Sequence, residues 1–564
     1  MGELVTPSAD YVVVGGGTAG CALAARLSED SSKTVCLVEA GGMDSHPYIK
    51  IPAMTAAAIA TKRLNWRFAT VPQPNLHNRQ IPVPRGRVLG GSGSINGMVY
   101  FRGHRDDFDE WARAGATGWS FREVLPYFVR SERNRNFPDS VYHSSRGPLG
   151  VTGFKSPNPL NFAFMQSLDA LGFPPCADFN SGDSEGYGLR QIVTRDGTRD
   201  STARSFLRPA LGRANLRLLT DAQVTRLVLE GRRIVGIEYS KNGESHRLNA
   251  ACEVILTAGA LQSPQLLLLS GIGDGEALQK RGIEVRHHLP QVGKNLHDHL
   301  ASPVFMTTGQ PDSYGVSWKA LPRNIYSVLQ FALFREGQFT SNLFESTAFI
   351  RTAEGLGKPD IQLVFQPSRR VKPPIPFPIG HGYAISPVNL YPKSRGQLTL
   401  ASSDPFAPPL IDPQLLADPS DIDPLIRAIK LIRRIFAQPP FAKYRAEEMA
   451  PGKQVNDDAE IAEYIRATSY TVHHPGGTCR MGSDPGAVVD PSLRVNGLAG
   501  LRVADGSVFP SVVGGNTNAA ALMVGERAAD FILGKAALEP AQEPGDSASG
   551  GRIAIARFGF SGHK

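Results

Sequence analysis

The feature that most constrains this chain is a glycine-rich turn near the N-terminus, between a strand-like run and a helix-like run. The segment YVVVGGGTAG places Gly15, Gly17 and Gly20 after apolar residues, and CALAARLSED follows with apolar positions at helical spacing. The first glycine permits a tight turn, the second lets the backbone approach a pyrophosphate, and the third lets the helix pack closely on the strand. The pattern predicts a strand–helix–strand unit that binds a dinucleotide, with the helix N-terminus facing the phosphates.

An acidic residue at the end of the next strand-like run supports this interpretation. Glu39 closes KTVCLVEAG, 19 residues after Gly20. A carboxylate at this position hydrogen-bonds ribose hydroxyls, and it repels the 2′-phosphate of NADP. Because NAD and FAD both carry a ribose and a pyrophosphate, the turn and the acid leave these two cofactors open.

Later segments predict that distant parts of the chain share one parallel sheet. The strand-like runs ACEVILTAGA and GLRVADGSVF each lead into a helix-like run, LQSPQLLLL and NAAALMVGERAADFIL respectively. In the first of these helices, Pro264 suits the opening turn, where its missing N–H costs nothing. The stretches between them are richer in proline and aromatic residues and show shorter strand patterns such as RGQLTLASSD. We interpret them as a second, inserted domain.

A chain of 564 residues exceeds what one hydrophobic core usually organises, which agrees with two domains. We expect a dinucleotide-binding domain over 8–45, 85–150, 211–304 and 471–536. The substrate-binding domain would then comprise 46–84, 151–210 and 305–470. The proline-rich segment QPSRRVKPPIPFPIGHG predicts an extended loop, either a lid or a surface excursion, and the composition of residues 537–564 predicts a disordered tail.

Charge and cysteine content exclude several classes of protein. The net charge of +8 comes from 60 basic and 52 acidic residues scattered along the chain, so no nucleic-acid partner is expected. The five cysteines lack any CxxC pair, which argues against a disulfide framework and a zinc site. We find no secretory signal and no apolar run of the ~20 residues that a membrane span needs, and we expect a soluble, cytoplasmic protein.

The segment GKNLHDHL invites a metal-binding interpretation through His297, Asp298 and His299, with His287 and His288 nearby. A structural zinc ion needs four converging ligands, and histidines two residues apart on a loop do not supply them. We therefore predict no metal.

Three long motifs carry a family resemblance. GRVLGGSGSINGMVYFRG (86–103), GALQSPQLLLLSGIG (259–273), and HHPGGTCRMG followed by GLRVADGSVFP and GGNTNAAALMVGERAADFI resemble segments of the glucose-methanol-choline oxidoreductases, in order from Tyr11 to Leu533. Within the family, the chain looks like bacterial choline dehydrogenase-like and alcohol oxidase members. The resemblance implies an enzyme with an α/β fold (α+β overall), in which a Rossmann-like FAD-binding domain with a parallel sheet carries an inserted domain with an antiparallel sheet.

The resemblance also implies which residues contact FAD. The expected contacts are Gly15, Gly17, Thr18, Ala19, Gly20, Glu39, Ala40, Trp66, Val88, Gly90, Gly91, Asn96, Gly97, Met98, Val99, Val224, Ala258, Asp505, Asn516 and Thr517. Some choline-oxidising members attach FAD covalently through a histidine, and the corresponding residue here is Ile95. We therefore expect non-covalent FAD. Gly97 replaces a serine of those members, so a serine contact to the flavin is not expected.

Oxidation of an alcohol needs a hydride acceptor, which flavin N5 provides, and a base near the hydroxyl. The family's base is the histidine before the proline in HHPGGTCRMG, which is His474, and histidine suits this role because its pKa lies near neutrality. Asn516 matches the position that holds the substrate oxygen, and an amide can do so by hydrogen bond. We expect Val388, in SPVNLY (Ser386 to Tyr391), to line the substrate pocket. For His473, lining this pocket and structural packing are equal alternatives.

The alternative within the same fold is a non-redox or photochemical flavoprotein, of the hydroxynitrile lyase or fatty-acid photodecarboxylase type, because fold alone does not determine the reaction. A flavin-binding structural or sensor protein is a third interpretation, which His474 and Asn516 disfavour. The expected substrate is a small-molecule alcohol, primary and aromatic, furanic or choline-like. The expected electron acceptor is oxygen or a quinone.

Overall fold

The computed structural model describes residues 7–369 and 378–542. Two large sheets, of seven and eight strands, organise this part of the chain. In chain order, their strands are β1 (Ser8–Val14), β2 (Val35–Val38), β3 (Gly186–Leu189), β4 (Leu216–Leu219), β5 (Ala222–Glu230), β6 (Arg233–Lys241), β7 (Glu244–Leu256), β8 (Leu300–Ala301), β9 (Val304–Thr308), β10 (Ser346–Ile350), β11 (Ile361–Gln366), β12 (His381–Asn389), β13 (Glu447–Ala450), β14 (Tyr470–Thr471) and β15 (Leu501–Val503).

The seven-stranded sheet has the order β4-β2-β1-β7-β6-β5, and β15 pairs with β7. The pairs that β1, β2, β4, β7 and β15 form with one another are parallel, as predicted for the segments with β-branched runs. Strand β6 pairs antiparallel with β7, and β5 pairs antiparallel with β6, which extends the sheet. Segments from both ends of the chain thus meet in one sheet.

The eight-stranded sheet is antiparallel, with the order β13-β9-β12-β11-β10-β3. Strand β8 pairs with both β12 and β14. Our proposed division of the chain assigns β8 to the dinucleotide-binding domain, yet its hydrogen bonds belong to this second sheet. The rest of the division remains a proposal.

Helices cover both sheets. Those of nine or more residues are α1 (Thr18–Leu27), α2 (Arg105–Arg113), α3 (Phe121–Ser131), α4 (Pro159–Ala170), α5 (Gly259–Leu269), α6 (Leu321–Phe334), α7 (Asp423–Phe436), α8 (Asp458–Thr468) and α9 (Asn518–Ile532). Shorter helices span Pro47–Lys50, Thr55–Ala60, Arg208–Ala210, Gly275–Gln279 and Pro439–Ala442. Short strands pair as Phe68–Ala69 with Pro82–Val83, Val99–Tyr100 with Gln191–Ile192, Glu132–Asn134 with Leu149–Val151, Thr194–Arg195 with Thr198–Arg199, Ile272–Gly273 with His287–His288, and Gln397–Thr399 with Leu410–Asp412.

The first and last long helices pack directly against each other. A Cβ on Gly525 of α9 would lie 2.7 Å from the carbonyl oxygen of Ala19 in α1, so the two backbones touch. The side chain of Arg26 in α1 forms a salt bridge of 3.1 Å with the buried carboxylate of Glu526. The N-terminal strand–helix–strand unit is therefore completed by the C-terminal helix.

Pro264 departs from our expectation, because it lies inside α5 rather than in its opening turn. A proline at this point cannot donate to the carbonyl of Ala260, four residues earlier. That carbonyl instead accepts a hydrogen bond of 2.6 Å from the hydroxyl of Thr478. A contact distant in sequence thus satisfies the oxygen that the proline leaves free.

Two main hydrophobic cores underlie the two sheets. One packs the parallel strands against aromatic residues such as Trp111 and Trp119, and the other includes Phe365 and Tyr383 of the antiparallel sheet. Among residues 7–369 and 378–542, no helix is long and apolar enough to cross a membrane.

Residues 370–377 of the predicted proline-rich loop, and residues 543–564 of the predicted tail, lie outside the described residues. The start of that tail is held in place. The backbone N–H of Ala541 donates to the carbonyl of Arg122, at 2.9 Å, and that of Leu538 to the Tyr127 hydroxyl, at 3.3 Å.

Candidate active site

The glycine turn after β1 adopts a backbone that side chains would block. Gly15 has a φ of +108°, and a Cβ there would lie 2.6 Å from the carbonyl oxygen of Thr257. A Cβ on Gly20 would lie 2.0 Å from the carbonyl oxygen of Gly15. These contacts let α1 begin close to the sheet, with its N-terminal N–H groups directed at the space beyond the turn.

Glu39, at the end of β2, supports the same turn. Its two carboxylate oxygens accept hydrogen bonds from the backbone N–H groups of Gly16, at 2.8 Å, and Gly41, at 2.7 Å. Burial raises the pKa of this carboxyl to about 7. A carboxylate has further lone pairs beyond these two bonds, so Glu39 can also accept from a ribose hydroxyl.

One cavity brings together residues from both sheets, and nearly all the predicted site residues line it. The predicted residues found in its lining are Gly15, Gly17, Thr18, Ala19, Glu39, Ala40, Trp66, Gly91, Asn96, Gly97, Met98, Val99, Val224, Ala258, Val388, His473, His474, Asp505, Asn516 and Thr517.

Three predicted residues, Gly20, Val88 and Gly90, are not in that lining. Gly20 packs against the turn of Gly15, and Val88 is buried. Gly90 turns the chain with a φ of +87° and donates its N–H to the carbonyl of Gly16, at 2.7 Å. These residues therefore act on the cavity indirectly, through the backbone segments that line it.

The cavity fits a dinucleotide at its glycine-rich end. A Cβ on Gly91 would lie 2.8 Å from the Cα of Gly17, so two glycine segments approach each other beside the helix N-terminus. Further along, the buried Asp505 accepts hydrogen bonds from the N–H of Gly259, at 2.8 Å, and the hydroxyl of Ser263, at 2.6 Å. Glycines that allow close approach, backbone N–H groups that can donate to a pyrophosphate, and the hydrogen-bonded carboxylate of Asp505 together form the expected dinucleotide site.

At the other end of the cavity, His474 lies between two polar side chains. Its Nε2 is 3.1 Å from the amide nitrogen of Asn516, and its Nδ1 is 3.0 Å from Nδ1 of His299. An amide nitrogen only donates, so Nε2 of His474 is the unprotonated acceptor, and its lone pair receives the N–H of Asn516. The ring proton of neutral His474 then sits on Nδ1 and is donated to His299.

The surroundings keep His474 unprotonated at neutral pH. Burial lowers its pKa well below the ordinary value of 6.5, and the charges of His299, His473, Arg85 and Arg190 lower the pKa further. Burial also lowers the pKa of His299 to about 4. Both rings are therefore neutral at pH 7, which is the form in which one can act as a base.

The backbone around His474 is held by its neighbours. His473 has a φ of +69°, a left-handed conformation that is uncommon for a side-chain-bearing residue. Its carbonyl accepts a hydrogen bond from the guanidinium of Arg85, and the buried carboxylate of Asp298 accepts from the N–H of His474, at 2.7 Å. These bonds orient the ring toward the cavity and hold the strained residue in place.

The segment GKNLHDHL, in which we predicted no metal site, supports the position of His474. Among residues 7–369 and 378–542, no group of three or more histidine, cysteine or acidic side chains could hold a metal ion. Asp298 and His299 instead contact His474, and Nε2 of His297 accepts a 2.9 Å bond from the N–H of Val512. The closely spaced polar residues His297, Asp298 and His299 on a loop are the sequence signal that could have indicated this supporting role.

Sequence reasoning missed other residues that line the cavity near His474. These are Arg85, Arg190, Phe344, Gln362, Val364 and Tyr470, whereas Ser386 belongs to the stretch SPVNLY that was expected to line the pocket. Gln362 and Val364 alternate on β11, and Ser386 alternates with Val388 on β12, as expected when one face of a strand borders a pocket. Nothing in the local sequence distinguishes Arg190 as a pocket residue.

A dinucleotide-binding sheet with a neutral histidine and an amide at the far end of its cleft defines a cofactor-dependent oxidoreductase. Residues 9–301 match the N-terminal model of the GMC oxidoreductases, and residues 392–525 match the C-terminal model. The chain belongs to this family, whose members bind FAD.

Characterised relatives agree in class. The chain is 42% identical to an alcohol dehydrogenase [acceptor] of Pseudomonas putida, over 93% of this chain and 96% of that one. It is 43% identical to an oxygen-dependent choline dehydrogenase of Rhizobium rhizogenes, over 95% and 98% of the two chains. The solved structure of pyridoxine 4-oxidase from Mesorbium loti superposes with a TM-score of 0.84 at 33% identity, covering 92% of this chain and 98% of that one.

These findings confirm the predicted fold class, the FAD cofactor and the oxidoreductase class, and they do not favour the lyase or photodecarboxylase alternative.

Proposed function

We propose that this enzyme oxidises an alcohol to an aldehyde or ketone, with His474 as the proton acceptor and Asn516 holding the alcohol oxygen. The observation that carries the proposal is the 3.1 Å contact between Nε2 of His474 and the amide nitrogen of Asn516, in the same cavity that the glycine-rich turn lines. When a substrate hydroxyl replaces this direct contact, it can give its proton to Nε2 while its oxygen accepts from the amide. Both groups face one oxygen.

Bound FAD supplies an acceptor for the two electrons that leave the substrate carbon as a hydride, at flavin N5. The protein manages the proton. The O–H bond breaks toward Nε2 of His474, and the C–O bond becomes a carbonyl. Because Nδ1 of His474 already carries a proton that is donated to His299, the imidazolium formed keeps that hydrogen bond.

We propose that FAD is held without a covalent bond. Ile95 lines the cavity in the segment where some choline-oxidising members carry the attaching histidine. The hydrocarbon side chain of isoleucine has no nucleophile. The binding free energy must then come from the glycine turn, Glu39 and Asp505.

The name of the Pseudomonas putida relative supports an alcohol substrate and leaves the acceptor open. We propose oxygen or a quinone as the acceptor. After anaerobic reduction by substrate, admission of air distinguishes them, since an oxidase regains the oxidised flavin spectrum within turnover time and a quinone-dependent dehydrogenase does so only with quinone.

The experiment that tests the function is anaerobic mixing with a panel of alcohols while flavin absorbance is followed. We expect bleaching by at least one alcohol, and His474→Ala should slow it by ~10² or more, as expected for loss of a general base. His288→Ala, at an exposed histidine outside the cavity, is the matched control. A His474→Ala enzyme that keeps its FAD and is reduced at the wild-type rate would remove His474 from the mechanism.

A further inference from the structure

Arg190 is a charged residue in the cavity for which the chemistry above has no use. It directly follows strand β3, and its backbone N–H donates to the carbonyl of Glu345, at 2.9 Å. The residue is 5% exposed and lines the same cavity as His474. The guanidinium therefore sits at the substrate end, on the sheet that also carries Gln362 and Val388.

Two nitrogens of the guanidinium lack compensation in the described part of the chain. The Nε and Nη2 atoms are buried and have no hydrogen-bond partner among residues 7–369 and 378–542. Nearby Arg199 shows the contrast, because its nitrogens donate to the carbonyl of Ile49, at 2.8 Å, to Asn96 Oδ1, at 2.9 Å, and to Thr55 Oγ1, at 3.0 Å. Burial alone lowers the pKa of both Arg190 and Arg199 to about 9, so the two residues differ in their hydrogen bonds and not in their pKa.

No carboxylate at the substrate end is available to pair with Arg190. Among the described residues that line the cavity, the acidic ones are Glu39 and Asp505, and both hold backbone N–H groups of the dinucleotide cradle. The other cation in the lining, Arg85, donates to the carbonyl of His473 and is attracted by the charge of Asp298. The uncompensated charge at this end is that of Arg190.

We propose that Arg190 determines specificity by binding a carboxylate of the substrate, so that the preferred substrates are alcohols that also carry a carboxylate. This inference rests on the alcohol oxidation proposed above. A guanidinium presents paired N–H donors whose geometry matches the two oxygens of a carboxylate, and an ion pair made by a buried guanidinium is little screened by salt. The substrate thereby supplies the carboxylate for Arg190 that the lining of the cavity lacks at this end.

The same charge disfavours cationic alcohols of the choline type. A quaternary ammonium group in this cavity would meet the positive charge of Arg190 and no lining carboxylate at that end. The relatives named choline dehydrogenases therefore share the family chemistry, and this chain differs from them in the charge of the substrate that it accepts.

Substrate charge would also act on the base. The charge of Arg190 is one cause of the lowered pKa of His474. A carboxylate bound to Arg190 offsets that charge, so the bound substrate raises the basicity of His474 toward the range where proton transfer is efficient. Neutral alcohols leave the base weaker.

The test compares matched pairs of substrates that differ only in charge, such as 4-(hydroxymethyl)benzoate against 4-methylbenzyl alcohol, together with choline. The wild-type enzyme should show a higher kcat/KM for the carboxylate-bearing alcohol than for its neutral partner. In Arg190→Gln the ratio of the two values should fall by about 100-fold, the size expected when one partner of an enclosed charge pair is truncated. Arg190→Lys should recover part of the ratio, and Arg217→Gln, at an exposed arginine on β4, should leave it unchanged.

A second measurement separates this inference from the proposed function. Non-reducing carboxylates such as 4-methylbenzoate should perturb the flavin absorption spectrum of the wild-type holoenzyme on binding, and about 100-fold higher concentrations should be needed with Arg190→Gln. This titration reports on Arg190 even if no alcohol reduces the flavin. The inference is overturned if carboxylates bind both enzymes equally, or if Arg190→Gln loses FAD or shifts the flavin potential while the substrate ratio stays constant, since Arg190 would then serve the cofactor.

Discussion

Replacing His299 with leucine should slow alcohol oxidation while leaving the base in place. The replaced ring accepts the Nδ1 proton of His474 across 3.0 Å and is fully buried. Leucine would leave that N–H without an acceptor, which costs about 1–3 kcal/mol in a buried site. The cost falls on the tautomer that frees Nε2 for the substrate, so flavin reduction by the alcohol should slow by about 5- to 150-fold.

Anaerobic stopped-flow absorbance measures this rate, and FAD content checks that the site is intact. His299→Asn is the matched variant, because its side-chain oxygen can replace the lost acceptor and should recover most of the rate. A positioning role also predicts a change in pH dependence. The imidazolium form of His474 also donates its Nδ1 proton to neutral His299, so loss of this acceptor lowers the pKa of His474 further, and the leucine variant should hold its remaining activity to a lower pH than the wild type does. Reduction by His299→Leu within about twofold of wild type, with an unchanged pH profile, would refute the reasoning.

Three further predictions concern the cofactor and the base. Acid precipitation should release all the flavin into the supernatant, because Ile95 cannot form a covalent bond; yellow protein in the pellet would contradict this. The lowered pKa of His474 keeps the base unprotonated on acidification, so kcat/KM for a neutral alcohol should hold constant down to a pH below the ordinary histidine value of 6.5. A loss of activity centred at or above pH 6.5 would show that the site does not suppress protonation. Gly20→Ala should greatly reduce FAD content, because the new Cβ would lie 2.0 Å from a carbonyl oxygen. Gly212→Ala, with open space around the new Cβ, should retain full FAD. Equal flavin absorbance in the two purified variants would exclude close packing as the reason for Gly20.

Much of the dinucleotide end could be predicted from sequence because its determinants are local. A turn that tolerates only glycine, followed at a set distance by an acid, constrains both the backbone and the ligand, and Gly15 and Glu39 lie where the pattern predicted. The arrangement of the sheets followed from β-branched runs and from the family motifs. Pro264 was misinterpreted because the group that satisfies its neighbouring carbonyl, Thr478, is over two hundred residues away.

The substrate end was less predictable because its contacts are made between strands that are distant in sequence. His299 meets His474 because β8 pairs with β14, a pairing of two residues on each strand that no periodicity reveals. Arg190 follows a short strand, and only the fold shows that it faces a cavity without a counter-charge. Residue type alone would have assigned such an arginine to the surface.

The packing of α1 against α9 also sets an order of events during synthesis. The hydroxyl of Thr18, at the start of α1, donates 2.7 Å to the side chain of Asn518, so the two ends of the chain close the dinucleotide cradle together. About 490 residues separate the end of α1 from the start of α9, and translation at about 5–20 residues per second takes roughly 25 to 100 s to cover them. The ribosome-bound chain therefore holds an open cradle through most of its synthesis. Cofactor loading becomes a late, post-translational step, and truncated chains that end before α9 are released without FAD.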